Sequence, residues 1–243
     1  MAHSEYISDS LIHWTGRKKS DEVAVQILKT ICEECILRLT YCPRYVQQDF
    51  KPSASMVCFT DIPLRFSGEH CGLFRRCGIA FHKNAMIAYG ANPVLYTTSK
   101  HLTRIKHIDA LLARMRDLEK DRDWKDEVEP YPFTEDETIA LMEVADFLQE
   151  YAYRNEDDVP HVTYYQREWR LPFNILPFAG AGEPHEPGMS CFYSRDNTSY
   201  AIFKFRSADV AFLVVPRAYQ ETVSEVARGI GCEVRVFEDE VDA

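Results

Sequence analysis

Long apolar runs are missing from this chain of 243 residues: no stretch of eighteen apolar residues occurs, so nothing in it reads as a membrane-spanning helix. The first residues, MAHSEYISDSLIHW, have neither the basic start nor the uninterrupted apolar core of a secretory signal, and the expected location is the cytoplasm, with no membrane partner. Basic charge is also scarce. With 28 Lys and Arg against 38 Asp and Glu, the formal net charge is -10, which excludes broad binding to a phosphate backbone and leaves only local nucleic-acid contacts. The one basic stretch, Lys100, His101, Arg104, Lys106 and His107 followed by Arg114 and Arg116, runs into acidic residues from Asp117 onward and reads as a solvated helix face. Cysteine is too thinly spread, 8 in the whole chain, for the dense disulfide framework of a small secreted domain, so reduced thiols are expected. Cys32 and Cys35, with Cys42 nearby, lack the second pair that a zinc site needs. The Walker phosphate loop, the dinucleotide G-x-G-x-x-G, the H-E-x-x-H zinc helix and the G-x-S-x-G nucleophile elbow are all absent.

What is present suits a mixed α+β protein. The hydrophobic fraction of 46% can bury a full core, and the chain reads as a single domain, 1-243, with a helical insertion at about 100-155. Leu11 to Thr15 is a short apolar strand closed by Gly16, and Ser20 then caps a helix whose core face carries Val23, Ile27, Leu28, Ile31 and Cys35. Further strands are expected at Met56 to Thr60, Gly78 to His82 and Val94 to Thr97, with a short helix from Lys83 to Tyr89 ended by Gly90. Helical patterns follow from Lys100 to Asp121 and from Glu135 to Arg154. Strands return at His161 to Leu171, Ser199 to Arg206 and Val210 to Val215; then a helix from about Ala218 to Arg228 and a last strand, Cys232 to Phe237, make a βαβ-like end.

Three segments place polar residues inside apolar strands: His13-Trp14-Thr15-Gly16, Val57 to Leu64 with Thr60 and Asp61, and Tyr165 to Arg170. On a strand, Gln166 and Glu168 project from one face and Arg167 and Trp169 from the other. A carboxylate in that position can bind a ribose hydroxyl and stabilise positive charge developing at an anomeric carbon. His13 can hold a second hydroxyl, and Trp14 or Phe59 can stack on a flat ring. The blander alternatives are a hydrogen-bonded core histidine, a turn aspartate at Asp61, core aromatics at Phe59 and Tyr96, a surface pair between Glu168 and its arginine neighbours, and a solvated Lys83.

The order of these segments resembles the ADP-ribosyltransferase superfamily: a His-aromatic-Thr strand before a helix, an aromatic-Ser/Thr strand, and a later strand with Glu or Gln, any residue, Glu. Leu11 to Leu37 is similar to the opening of the DarT-type DNA-modifying toxins. That resemblance implies an ADP-ribosyltransferase-like mixed or antiparallel sheet with flanking helices. It also implies NAD as substrate, Glu168 and Gln166 in catalysis, and His13, Trp14, Thr15, Phe59, Thr60 and Tyr96 around the cofactor, with imidazole and carboxylate facing one nicotinamide-sized hollow. More of the chain resembles the AbiGi family of abortive phage-resistance proteins, through the C-F-x-D-I-P-L block in Met56 to Leu64, G-I-x-F-x-K in Cys77 to Lys83, N-P-V-x-Y in Gly90 to Tyr96, and Glu168-Trp169-Arg170. AbiGi is described as the antitoxin of a two-gene defence pair.

Two functions are therefore expected: transfer of ADP-ribose from NAD to a nucleic-acid or protein acceptor, or a non-catalytic antitoxin that binds and neutralises a partner toxin. A metal-dependent nuclease using Asp61 and Glu168 ranks below both, because the lysine such sites use is missing from their neighbourhood in sequence.

Overall fold

The computed structural model describes residues 8-43, 53-97, 147-150, 152-154, 160-162, 167-173, 187-193 and 199-241. The greater part of the expected helical insertion, and Gln166, lie outside the described residues. The fold is α+β, built on a mostly antiparallel sheet with helices on both of its faces. None of its described helices is long and apolar enough to cross a membrane.

Strand β1 (Ser10–Thr15) is followed by α1 (Asp21–Glu34), whose N-cap Ser20 accepts from the Val23 amide, with Asp21 and Glu22 at the positive end of the helix. The turn between them depends on Gly16. Its φ is +78°, and a Cβ there would lie 2.3 Å from the Ala24 Cβ, so helix and strand meet with no room for a side chain. The face of α1 that enters the core is Ala24, Val25, Leu28 and Cys32. Val23 and Ile27, expected in that core, are instead 45% and 36% exposed; the helix is rotated toward its small residues so that it can lie close to the sheet.

Short strands β2 (Ile36–Arg38) and β3 (Thr40–Pro43) precede β4 (Ser53–Thr60). Helix α2 (Gly68–Phe74), β5 (Cys77–His82), α3 (Lys83–Ala88), β6 (Asn92–Pro93) and β7 (Leu95–Thr97) follow. Next come β8 (Leu148–Glu150), β9 (Ala152–Arg154), β10 (Pro160–Val162), β11 (Glu168–Phe173), β12 (Gly188–Tyr193) and β13 (Ser199–Lys204). The chain closes through β14 (Val210–Val215), α4 (Gln220–Ile230), β15 (Glu233–Val236) and α5 (Phe237–Val241).

The main sheet has the order β15-β14-β5-β1-β4-β11-β6, with β3 also paired to β4. The expected βαβ end is present: β14 and β15 are its parallel neighbours, joined by α4. One sheet face is covered by α1, α3 and α4, burying Leu11, Val57, Phe59, Ile79, Phe81, Leu171, Leu213 and Val215. The other face, with Ile12, Trp14, Ala80, Phe212 and Val214, is covered by α2, the 3-10 turn at Leu64–Phe66 and Phe237 of α5. A separate sheet, β12-β13-β2, joins the first core through Phe203 and Phe205, whose rings meet Tyr89 and Phe81 edge-on at 5.0 Å.

One helix is corrected in part. The stretch expected as helical from Glu135 to Arg154 ends in strands, β8 paired in parallel with β7 and β9 paired with β10. Pairing to distant strands overrides the helix-forming residues of this stretch.

Candidate functional site

The three segments singled out in the sequence do lie side by side, on β1, β4 and β11. Directly opposed residues on paired strands share a face, so the pairings Ile12↔Thr60 and Glu168↔Thr60 put Ile12, Thr60 and Glu168 in one row on the α2 face. His13 is one residue on and turns to the opposite face, with Leu11 and Phe59; its ring meets Phe59 edge-on at 6.2 Å. The expected hollow with imidazole facing carboxylate is therefore not formed by this pair. The reason is the strand period of two, which assigns His13 and Glu168 to different layers once the register is fixed.

On the α2 face Glu168 is held by Arg170. The guanidinium gives two hydrogen bonds, Nε to Oε1 at 2.9 Å and an NH2 nitrogen to Oε2 at 3.3 Å, and Arg170 is only 3% exposed. The spacing of two residues makes this possible, since both side chains leave the strand on one side. The backbone amide of Glu168 donates to the Tyr96 hydroxyl at 2.8 Å, which ties β11 to β7. Trp14 shares this face. Its indole nitrogen is buried and has no hydrogen-bond partner among the described residues, while its ring lies 6.1 Å from that of His70 on α2. Burial pushes the His70 imidazole down to about 4, opposed by the negative charge of Glu168, so His70 is neutral at pH 7. Thr60, between Ile12 and Glu168, is buried.

On the α1 face His13 donates from Nδ1 to the Cys58 carbonyl at 2.9 Å. Burial lowers its pKa and the bond to Cys58 works the other way, leaving a neutral ring with its proton on Nδ1. The contact spans β1 and β4 beside the Ile12↔Thr60 pair, so a side chain joins the two strands there. Thr15 is buried and its hydroxyl reaches the carbonyls of Ala24 and Cys77, at 3.3 and 3.4 Å. Phe59 is core, edge-on to Phe81 at 5.8 Å.

A second ionic cluster closes the ends of β4, β5 and β11. Asp61 is buried and accepts from Lys83 Nζ at 2.8 Å and from the Ser8 amide at 3.3 Å on one oxygen, and from the Arg167 guanidinium at 3.3 Å on the other. Arg167 adopts a left-handed φ of 44°, which is uncommon for a side chain of this size and aims its carbonyl at the Asp61 amide, 3.1 Å away. Lys83, read from sequence as solvated, is 16% exposed at the side chain, with its ammonium 5.3 Å above the Trp169 ring. The distance between Asp61 and Lys83 along the chain hid the pair; the E-x-R spacing of Glu168 and Arg170 could have revealed the other. His70 escaped notice because α2 itself was not expected.

Of the C-x-x-C cysteines, Cys32 is buried and its thiol is pushed up to about 12 by burial, while Cys35 is the left-handed C-cap of α1. Among the described residues no group of three or more His, Cys, Asp or Glu is placed to hold a metal ion.

The family described as "Putative abortive phage resistance protein AbiGi, antitoxin" matches residues 26–216. The chain belongs to the AbiGi family. The AbiGi match takes in β4, β5 and β11, hence Asp61, Lys83, Arg167, Glu168 and Arg170, and leaves β1 with His13 and Trp14 outside. AbiGi membership makes this an abortive-infection protein of phage defence. No curated protein and no solved structure matches the chain.

Proposed function

We propose that this AbiGi protein is the antitoxin of a two-component abortive-infection system, acting by binding a cognate toxin protein and holding it inactive. The observation that carries the reading is the commitment of the polar strand residues to the protein itself. Glu168 is clamped by a buried arginine, His13 is spent on a backbone carbonyl, and the two leave the sheet on opposite faces. Residues used in this way stiffen the sheet that carries the rest of the fold, and the reading places partner binding on the outer surface built around it. The net charge of -10 favours a basic partner, such as a toxin directed at nucleic acid, and speeds association at low salt. The test is to mix the purified protein with the purified product of the neighbouring gene. A complex that forms equally with Glu168→Gln, and that suppresses the partner's toxicity, is the expected result; failure to bind refutes the reading.

A second reading, transfer of ADP-ribose from NAD to a nucleic-acid or protein acceptor, is favoured by one feature. The indole N–H of Trp14 is a buried donor without an acceptor among the described residues, on the same face as Glu168 and Thr60, and an acceptor on a bound NAD would satisfy it. In this reading Glu168, with Gln166, stabilises the developing ribosyl cation. NAD should then raise the melting temperature, and Glu168→Gln should abolish nicotinamide release; no binding at millimolar NAD removes it.

A further inference from the structure

The two edges of the main sheet are treated differently. At one end β6 carries Pro93, which cannot donate to a further strand and so blunts that edge. At the other end β15 pairs only with β14 among the described residues, and its four residues, Glu233, Val234, Arg235 and Val236, contain no proline, glycine or bulge. An edge with this sequence, unpaired among the described residues, is a template for another strand.

The charge pattern of β15 says which strand fits. Glu233 and Arg235 lie two apart, on one face of the sheet, and bond to each other at 2.7 Å with Val234 between them. If a second copy of β15 is laid antiparallel beside the first with the twofold axis at Val234, Val234 meets Val234 and each Glu233 stands directly opposite an Arg235 of the other copy. The sequence is self-complementary in that register and in no other antiparallel register that pairs all of its charges. Arg235 is already held in place, its guanidinium 3.9 Å from the Phe212 ring on β14, so little freedom is lost on pairing.

We propose that the protein forms a homodimer through antiparallel pairing of β15 with β15, extending the two sheets into one. The interface is isologous, as a twofold dimer requires. It is independent of the antitoxin reading and, being made along a sheet edge, covers neither face of the sheet.

The experiment is sedimentation equilibrium on the full chain across a concentration series. The wild type is expected to dimerise. Glu233→Arg alone and Arg235→Glu alone should each weaken dimerisation on the order of tenfold or more, since like charges then face each other at two symmetric positions. An equimolar mixture of the two variants should recover the dimer, because a strand carrying arginine at both charged positions then faces a strand carrying glutamate at both. That recovery separates pairing across the interface from damage within one chain, as both variants lack the internal Glu233 to Arg235 bond. Wild type that stays monomeric at high concentration, single variants that dimerise like wild type, or a mixture that does not recover would each overturn the proposal.

Discussion

Removing the carboxylate of Glu168 while leaving Arg170 in place should unfold the protein more readily whatever its function. Arg170 has a side-chain exposure of 4% and Glu168 of 14%, so deleting Glu168 takes the bidentate carboxylate from a guanidinium that water can hardly reach. Breaking a buried pair from one side typically costs about 3–5 kcal/mol, and the partial exposure of Glu168 puts Glu168→Ala near the lower end, about 3 kcal/mol. For a chain of 243 residues that corresponds to a fall in Tm of roughly 6–12 °C. Glu168→Gln keeps an acceptor for the guanidinium and should lose less, about 1–2 kcal/mol. Replacing both residues, as in Glu168→Met with Arg170→Met, removes the buried guanidinium together with its carboxylate and should return part of the lost stability. Thermal melts followed by circular dichroism, with urea titrations at fixed pH, measure all four proteins. If Glu168→Ala melts within about a degree of wild type, the pair is screened by solvent and the reasoning fails. The consequence reaches the functional assays: loss of activity in Glu168→Ala reports stability as much as chemistry, and Glu168→Gln is the variant to interpret.

Other outcomes follow from the same geometry. Gly16→Ala should destabilise by about 2 kcal/mol or more, because the new Cβ collides with Ala24 at a backbone φ of +78°; a urea midpoint equal to wild type would contradict the close approach of α1 to β1. His13→Phe should cost about 1–2 kcal/mol by removing the hydrogen bond that His13 gives to the Cys58 carbonyl, measured in the same titration. The pKa of His70 is about 4 when folded and near 6.5 when unfolded, so below pH 6.5 the unfolded chain takes up a proton that the folded chain refuses. Stability is then full above pH 6.5 and declines as pH falls toward 4, by about 1–3 kcal/mol. His70→Phe should flatten that decline, and an unchanged pH profile would count against the burial of this ring beside Trp14.

Local pattern made much of the sheet legible. The capped start of α1, the apolar runs of β4 and β14, and Gly231 after α4 are written in neighbouring residues, and the parallel β14-α4-β15 unit follows from them. Features set by pairing at a distance were not visible. Leu148–Glu150 and Ala152–Arg154 are strands only because β7 and β10 lie beside them, and α5 is held through Phe237 against Trp14 and through Glu238 to Arg76. The site shows the same division. Its segments could be picked out one at a time, and their adjacency as β1, β4 and β11 agrees with their joint selection. Which face each side chain takes depends on register, however, and a shift of one residue exchanges His13 for Trp14 as the neighbour of Glu168.

The central claim, that the protein works by binding a toxin and not by turning over NAD, is tested most directly by calorimetric titration of the neighbouring gene's product into wild type and into Glu168→Gln, with nicotinamide release followed in parallel. The account predicts a saturable complex of the same affinity for both proteins and no nicotinamide. Absence of a complex, together with nicotinamide release that Glu168→Gln abolishes, would contradict it.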